Sequence, residues 1–276
     1  MTELDPALAA RIRLVICDID GTIVRDDKNL SEATIKAVTR ARDAGIAVTL
    51  ISARPASGLG AIVRELRVKG AVGAFNGGTL FEAGGAVIEA HRLAPDDARR
   101  AVAMLDEAGV PVWVFADGLW LARDKDALHD DRERKAAQLE PTITRDFTPW
   151  LDRADKVVGV SDDYPLVERM ENEIGQALGD TANVVRSQRY FLDVTAKVAN
   201  KGDGAAFLAK AHGVPLDETA AVGDMPNDIP MIRRAGLGVA MGQAADAVRE
   251  AAGFVTASNE EDGVARLLDL LVEARR

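Results

Sequence analysis

Hydrophobic positions gather first into an unbroken run, IRLVICDI from Ile12 to Ile19, rich in β-branched residues and closing on acidic ones. Such a run predicts a strand buried on both faces, as inside a parallel sheet. The turn residues Asp26, Asp27 and Asn29 follow, and Ser31 is placed to cap a helix whose positions Ile35, Ala37, Val38 and Ala41 lead to a stop at Gly45. A second strand is expected over 46–52, a helix opened by Pro55, a break at Gly70 and a third strand over 71–75. Strand, helix, strand, helix, strand is the rhythm of a doubly wound parallel sheet, the core of an α/β fold.

From Asn76 the rhythm changes. Short runs over 79–82 and 86–90, separated by Gly84-Gly85, predict an antiparallel hairpin, and WVFA and LWLA around Asp117-Gly118 predict another. Amphipathic helices are expected near 96–108, 126–138 and 165–178, with strands at KVVGV from Lys156, at ANVVRS and at YFLDV. The parallel rhythm then resumes: a helix through 205–212 stopped by Gly213, the strand TAAVG, a helix from Asn227, the strand GLGVA and an amphipathic helix from Glu260. Residues 85–188 are therefore read as an inserted mixed α/β cap domain, and 1–84 with 189–276 as the α/β core.

Composition narrows the partners. A chain of 276 residues with 47% hydrophobic and 28% charged residues suits a soluble protein of two domains. The net charge of −10 repels polyanions, so nucleic acid and anionic membrane surfaces are not expected partners. The one cysteine, Cys17, sits in the first apolar run and reads as a reduced, buried thiol, in keeping with a cytoplasmic location. No leader pattern is read at the N-terminus, and no apolar run reaches the roughly 20 residues that span a bilayer. Oligomeric state is left as monomer or homodimer.

Candidate chemistry lies where the core strands end. Asp18 and Asp20 stand two apart at the end of the first run, so both emerge on one side at the sheet's carboxyl edge, where open α/β sheets hold ligands. Their repulsion is relieved by a divalent cation, and hard oxygen ligands suit magnesium. The plainer reading is an Asp-Gly turn after a solvated strand end. In GDMPNDIPM, Asp224 directly follows another apolar strand and can complete the carboxylate set, while Asn227 and Asp228 can orient water or phosphate, or Asn227 can simply cap a helix. Ser52, Ala53 and Arg54 follow the second strand, where a hydroxyl and backbone N–H groups form a phosphate seat; Ser52 as a cap with Arg54 solvated is the bland alternative. Lys201, in Asn200-Lys201-Gly202, enters a helix where its ammonium can neutralise a phosphate oxygen and the Asp18 carboxylate.

DIDGT, Ser52 in ISAR, Lys201 in NKG, and GDMPND resemble the four ordered motifs of the haloacid dehalogenase superfamily of phosphatases. The insertion falls between the second and third motifs and resembles the cap of the Cof-type branch. The resemblance implies Asp18 as nucleophile, Asp20 as general acid and base, Ser52, Ala53, Lys201 and Asn227 around the substrate phosphate, Asp18, Asp20 and Asp224 as ligands of Mg²⁺, with Asp20 contributing its backbone carbonyl, and Asp228 behind them. Ser52-Ala53-Arg54 departs from the family's frequent Thr-Gly-Arg but keeps the hydroxyl.

The expected activity is magnesium-dependent hydrolysis of a small phosphorylated metabolite through an aspartyl-phosphate, with sugar phosphates suggested by family analogy. A phosphomutase of the same superfamily and a non-catalytic, Mg²⁺-binding phosphoacceptor module are the alternatives. Arg123, Lys125, Arg186 and Arg189 of the insertion can meet a substrate but read more simply as solvated charge.

Overall fold

The computed structural model describes residues 4–125 and 127–276. Residues 1–3, and Asp126 at the start of the expected helix 126–138, lie outside the described residues.

Strand β1 (Leu14–Cys17) is buried throughout, and β2 (Ala47–Leu50) runs parallel to it. The crossover helix Glu32–Asp43 starts as expected at Ser31, whose Oγ accepts a hydrogen bond from the Thr34 N–H at 3.0 Å. β3 (Ala71–Ala74) is reached from β2 through one parallel bridge, Ile51 to Gly73, while its ladder runs antiparallel to β4 (Thr79–Glu82), which pairs with β5 (Val87–Ala90). The third expected parallel strand is thus the first of a three-stranded antiparallel extension. The tight turn Phe75–Gly77 explains this, since it folds β4 straight back along β3.

The chain then leaves the core for β6 (Val112–Ala116), β7 (Leu119–Ala122), β8 (Pro141–Ile143), β9 (Ala154–Val160), β10 (Ala182–Gln188) and β11 (Phe191–Ala196). These form one sheet in the order β10-β11-β9-β6-β7-β8, antiparallel except between β7 and β8. It returns with β12 (Thr219–Gly223), β13 (Leu237–Ala240) and β14 (Phe254–Val255), completing a parallel sheet ordered β14-β13-β12-β1-β2. Among the described residues no helix is long and apolar enough to cross a membrane.

The strand pairings run across the expected limits of the insertion, 85 and 188. β5 lies after residue 85 yet pairs with β4 on the core side, and β11 lies after 188 yet pairs with β9 and β10 in the six-stranded sheet. All six residues of β11 are buried, so its sequence has the look of a core strand.

Alternation along the strands gives the six-stranded sheet two different faces. Val112 and Val114 of β6, with Val157, Leu192 and Val194, pack against the helices Pro95–Glu107 and Tyr164–Leu178. Trp113 and Phe115, with Val158 and Phe191, point the other way and share a core with Phe75 and Ala137. That second face also carries Lys156 and Asp193, both buried.

Candidate active site

In the parallel sheet β1 lies between β2 and β12, so the connections on its two sides leave in opposite directions and open a crevice at the carboxyl ends. Asp18 stands at that opening, its N–H donating to the Val222 carbonyl at 3.0 Å, and Asp224 follows the neighbouring strand. Between them the DIDGT segment turns tightly through Gly21 at φ +77°, where a Cβ would lie 2.4 Å from an Asp224 carboxylate oxygen. Only glycine permits this approach. It also lets the Thr22 hydroxyl donate to Asp224 Oδ1 at 2.9 Å.

Lys201 ties the site together. Asn200 caps the helix Lys201–Ala211 by accepting from the Asp203 N–H at 2.9 Å, which sets Lys201 at the helix's first position. The lysine is 1% exposed, and its ammonium lies 2.8 Å from Asp18 Oδ1 and 2.5 Å from Asp228 Oδ1. Asp228 Oδ2 accepts from the backbone N–H groups of Asp224 and Met225, each at 2.9 Å, so both oxygens of this buried carboxylate are engaged. One carboxylate oxygen from each of Asp18, Asp224 and Asp228 lies within 4.8 Å of the others.

This crowding is costly to the charges. Burial, reinforced by Asp228 and Asp224 and opposed by Lys201, holds the Asp18 carboxyl well above the usual carboxylate range. Burial and Asp228 push Asp224 up to about 7 against the pull of Thr22 and Lys201. Burial works against the Lys201 charge, yet Asp18 and Asp228 outweigh it and raise its pKa. Beside them, burial with the Asp18 charge pushes the Cys17 thiol up to about 12; it is buried, as the sequence suggests.

Asp20 takes a different partner. Arg54 Nε and Nη2 donate to its two oxygens at 2.7 Å each, and Lys28 Nζ lies 2.9 Å from Oδ1. Burial opposes ionisation, but these cations overcome it and bring Asp20 down to about 2. Arg54 is 9% exposed, so the solvated reading of this residue is corrected: the fork of its guanidinium is matched to a carboxylate at the cavity floor. Ser52 is buried, and its Oγ accepts from the Arg54 N–H at 3.2 Å while Ala53 lines the cavity beside it.

Asn227 does not cap a helix with its side chain; its Nδ2 lies 3.4 Å from Asn76 Oδ1. Among the described residues Asn76 Nδ2 and Asn227 Oδ1 have no hydrogen-bond partner although both are buried. Asn76 was not singled out in the sequence. Its signal was the string Phe75-Asn76-Gly77-Gly78 after a strand, since Asn tolerates the left-handed conformation found here at φ +58°.

The six-stranded sheet closes over these residues. Ser57 Oγ donates to the Ala137 carbonyl at 2.6 Å, and Gly58 fits so closely under the helix Asp130–Ala137 that a Cβ there would lie 2.0 Å from the Ala136 carbonyl oxygen. Lys156 Nζ reaches across from β9 to the Ala53 carbonyl at 3.2 Å. A cavity of about 560 Å³ remains between the two parts, lined by Asp18, Asp20, Ser52, Arg54, Lys201 and Asn227 below and by Glu133, Lys156, Ser187, Gln188 and Tyr190 above. Of the four basic residues of the insertion noted in the sequence, Arg123 pairs with Asp106 and Arg186 with Glu171, and Lys125 and Arg189 are exposed; none lines this cavity.

Carboxylates and a buried lysine at the carboxyl edge of a parallel sheet, beneath an inserted lid, define an α/β enzyme with an oxygen-lined site. The profile of the haloacid dehalogenase-like hydrolases matches residues 15–268, and the chain belongs to that family, in its Cof-type phosphatase branch. A Haemophilus influenzae protein that bears the name "Putative phosphatase" is 29% identical over 260 residues, covering 93% of this chain and 97% of its own. The 5-amino-6-(5-phospho-D-ribitylamino)uracil phosphatase YitU of Bacillus subtilis is 28% identical, covering 92% and 96%. The solved structure of a subclass IIB sugar phosphatase superposes with a TM-score of 0.79 at 25% identity, covering 93% of this chain and 98% of that one.

Proposed function

We propose that the protein hydrolyses small phosphomonoesters with the help of Mg²⁺, Asp18 acting as the nucleophile and Asp20 as the proton donor and acceptor. The observation that carries this reading is the buried Lys201 bridging Asp18 and Asp228, with Asp224 in reach of the same ion. The donor set fits magnesium: every side-chain donor is a hard carboxylate oxygen, and the upward shifts of Asp18 and Asp224 mark a cluster short of positive charge. Asp18 and Asp224 are the side-chain ligands of choice, with the Asp20 carbonyl. Asp228, already engaged at both oxygens, orients Lys201 and the 224–225 backbone. When bound, Mg²⁺ supplies charge neutralisation to the phosphate oxygens.

The protein's own groups do the rest. Lys201, the Ser52 hydroxyl and the Ala53 N–H hold the phosphoryl oxygens, and Asn227 lines the cavity beside them. An Asp18 oxygen forms a bond to phosphorus as the ester oxygen leaves, and Asp20 gives that oxygen a proton. For this Asp20 must first bind a proton and shed Arg54 and Lys28, for which an incoming phosphate dianion competes. In the second half a water attacks phosphorus, the Asp18 bond to phosphorus breaks, Asp20 accepts the water's proton and inorganic phosphate departs. The ion-paired carboxylate form of Asp20 suits that second task.

Sugar phosphates are the preferred substrates, supported by the polar upper wall of the cavity and by the sugar phosphatase among the structural relatives. A reducing, cytoplasmic setting fits the buried Cys17 thiol. The test is release of inorganic phosphate from a panel of phosphorylated metabolites with Mg²⁺ and with chelator. No release from any ester, or undiminished release by Asp18→Asn, counts against the reading.

A further inference from the structure

Glu133 lies on the helix Asp130–Ala137, in the charged stretch DDRERKAA, where a solvated carboxylate would be expected. It is instead 7% exposed and lines the cavity above Asp20 and Arg54. Its carboxylate has no hydrogen bond and no ion pair among the described residues, and what acts on it are charges near but not touching it: Lys156, Asp193, Arg54 and Asp20. Burial, with Asp193 and Asp20, pushes it up to about 7. Its oxygens open to the cavity and not into the core, so a water or a ligand group there supplies the donors that the protein does not.

Lys156 shares that wall. It projects from the site-facing side of β9, is 5% exposed, and lies 3.2 Å from the Ala53 carbonyl oxygen and 3.4 Å from Asp193 Oδ2. An ammonium has three N–H donors, so one remains. The rings of Phe115 and Phe75 lie near it, with Nζ 5.0 Å and 5.9 Å from their centroids, so this part of the wall is partly apolar.

We propose that Glu133 and Lys156 form a recognition site for hydroxyl groups on the alcohol half of the substrate, making Glu133 a specificity-determining residue. The inference rests on the phosphatase reading and deepens it. The mixed charge of the wall decides the ligand chemistry. A cationic amine meets Lys156, Arg132 and Lys135 on this wall, and a second anionic group brought beside Glu133 meets its carboxylate. A hydroxyl both donates and accepts, so neighbouring hydroxyls satisfy an acceptor and a donor set side by side. Ser187 and Gln188 extend the same polar wall. An unsubstituted alkyl alcohol leaves Glu133 desolvated and unpaired, which is the situation in which a site rejects an analogue lacking a hydroxyl most strongly.

The experiment compares kcat/KM of the wild-type protein, Glu133→Gln and Glu133→Leu on pentose, pentitol and hexose monophosphates, with propyl phosphate and nitrophenyl phosphate as esters without hydroxyls. We expect wild type to favour the best polyhydroxylated ester over propyl phosphate by roughly 100-fold or more. Glu133→Gln, nearly the same shape, lowers that ratio about 10-fold, and Glu133→Leu nearly abolishes it, while both keep nitrophenyl phosphate turnover within about threefold of wild type. An unchanged ratio in the Gln variant, which needs no repacking, overturns the inference whatever the Leu variant does. Failure of the phosphatase reading looks different: wild type then releases phosphate from no ester, nitrophenyl phosphate included, and the inference falls with it.

Discussion

Arg54 grips Asp20 through both carboxylate oxygens, at 2.7 Å each, so the group assigned to deliver a proton is stored as an ion pair. Lys28 adds a second cation at 2.9 Å, and the carboxyl falls to about 2. A depressed carboxylate stabilises the fold above its unfolded pKa, and that contribution is lost as pH falls through the folded one. Arg54→Ala should therefore lower stability by about 2 kcal/mol at neutral pH, with the deficit shrinking as pH drops from about 4 toward 2. Urea unfolding of metal-free protein at several pH values measures this; a deficit that is constant with pH contradicts it.

Glu133 carries the opposite sign. Its pKa rises on folding from 4.5 to about 7, because burial, Asp193 and Asp20 outweigh Lys156 and Arg54. The folded state then binds the extra proton, so this residue's contribution is full below about pH 4.5 and declines as pH rises to about 7. Glu133→Gln removes the decline, and its stability relative to wild type should increase across that window by roughly 3 kcal/mol. A difference that stays flat across the window would mean that Glu133 is solvated.

Lys201 neutralises two buried carboxylates at once. Lys201→Met leaves Asp18 and Asp228 facing each other without a counter-charge, and breaking such a buried pair costs about 3–5 kcal/mol. The thermal midpoint should drop and phosphate release should fall below detection. Added Mg²⁺ should recover part of the stability, since a cation relieves the same repulsion, and melting with and without Mg²⁺ reads this directly.

As proton donor Asp20 matters most for poor leaving groups. Asp20→Asn should slow alkyl phosphates by about 100-fold or more but nitrophenyl phosphate far less, because nitrophenolate leaves without help. Equal losses on both esters, measured side by side, count against the acid role.

The residues that close the site from below were readable because each follows an apolar strand. Asp18 after β1 and Asp224 after β12 needed only the strand pattern and the rule that ligands gather at carboxyl ends. What stayed hidden depended on contacts distant in sequence. Arg54 looks solvated until its partner, 34 positions away, is brought beside it. β11 is buried on both faces, and only its pairing with β9 and β10 shows which sheet it joins. Glu133 and Lys156 carry no local signal: Glu133 is buried where Ser57 and Gly58 meet the helix Asp130–Ala137, and Lys156 where β9 meets Ala53 and Asp193.

The central claim is that Asp18 itself becomes phosphorylated, and mass spectrometry of acid-quenched protein during turnover of a nitrophenyl or sugar phosphate tests it most directly. The peptide containing Asp18 should gain one phosphoryl group in the presence of Mg²⁺ and lose it on alkaline treatment, as an acyl phosphate does, and Asp18→Asn should show neither the adduct nor phosphate release. Steady phosphate release from an Asp18→Asn protein would contradict it.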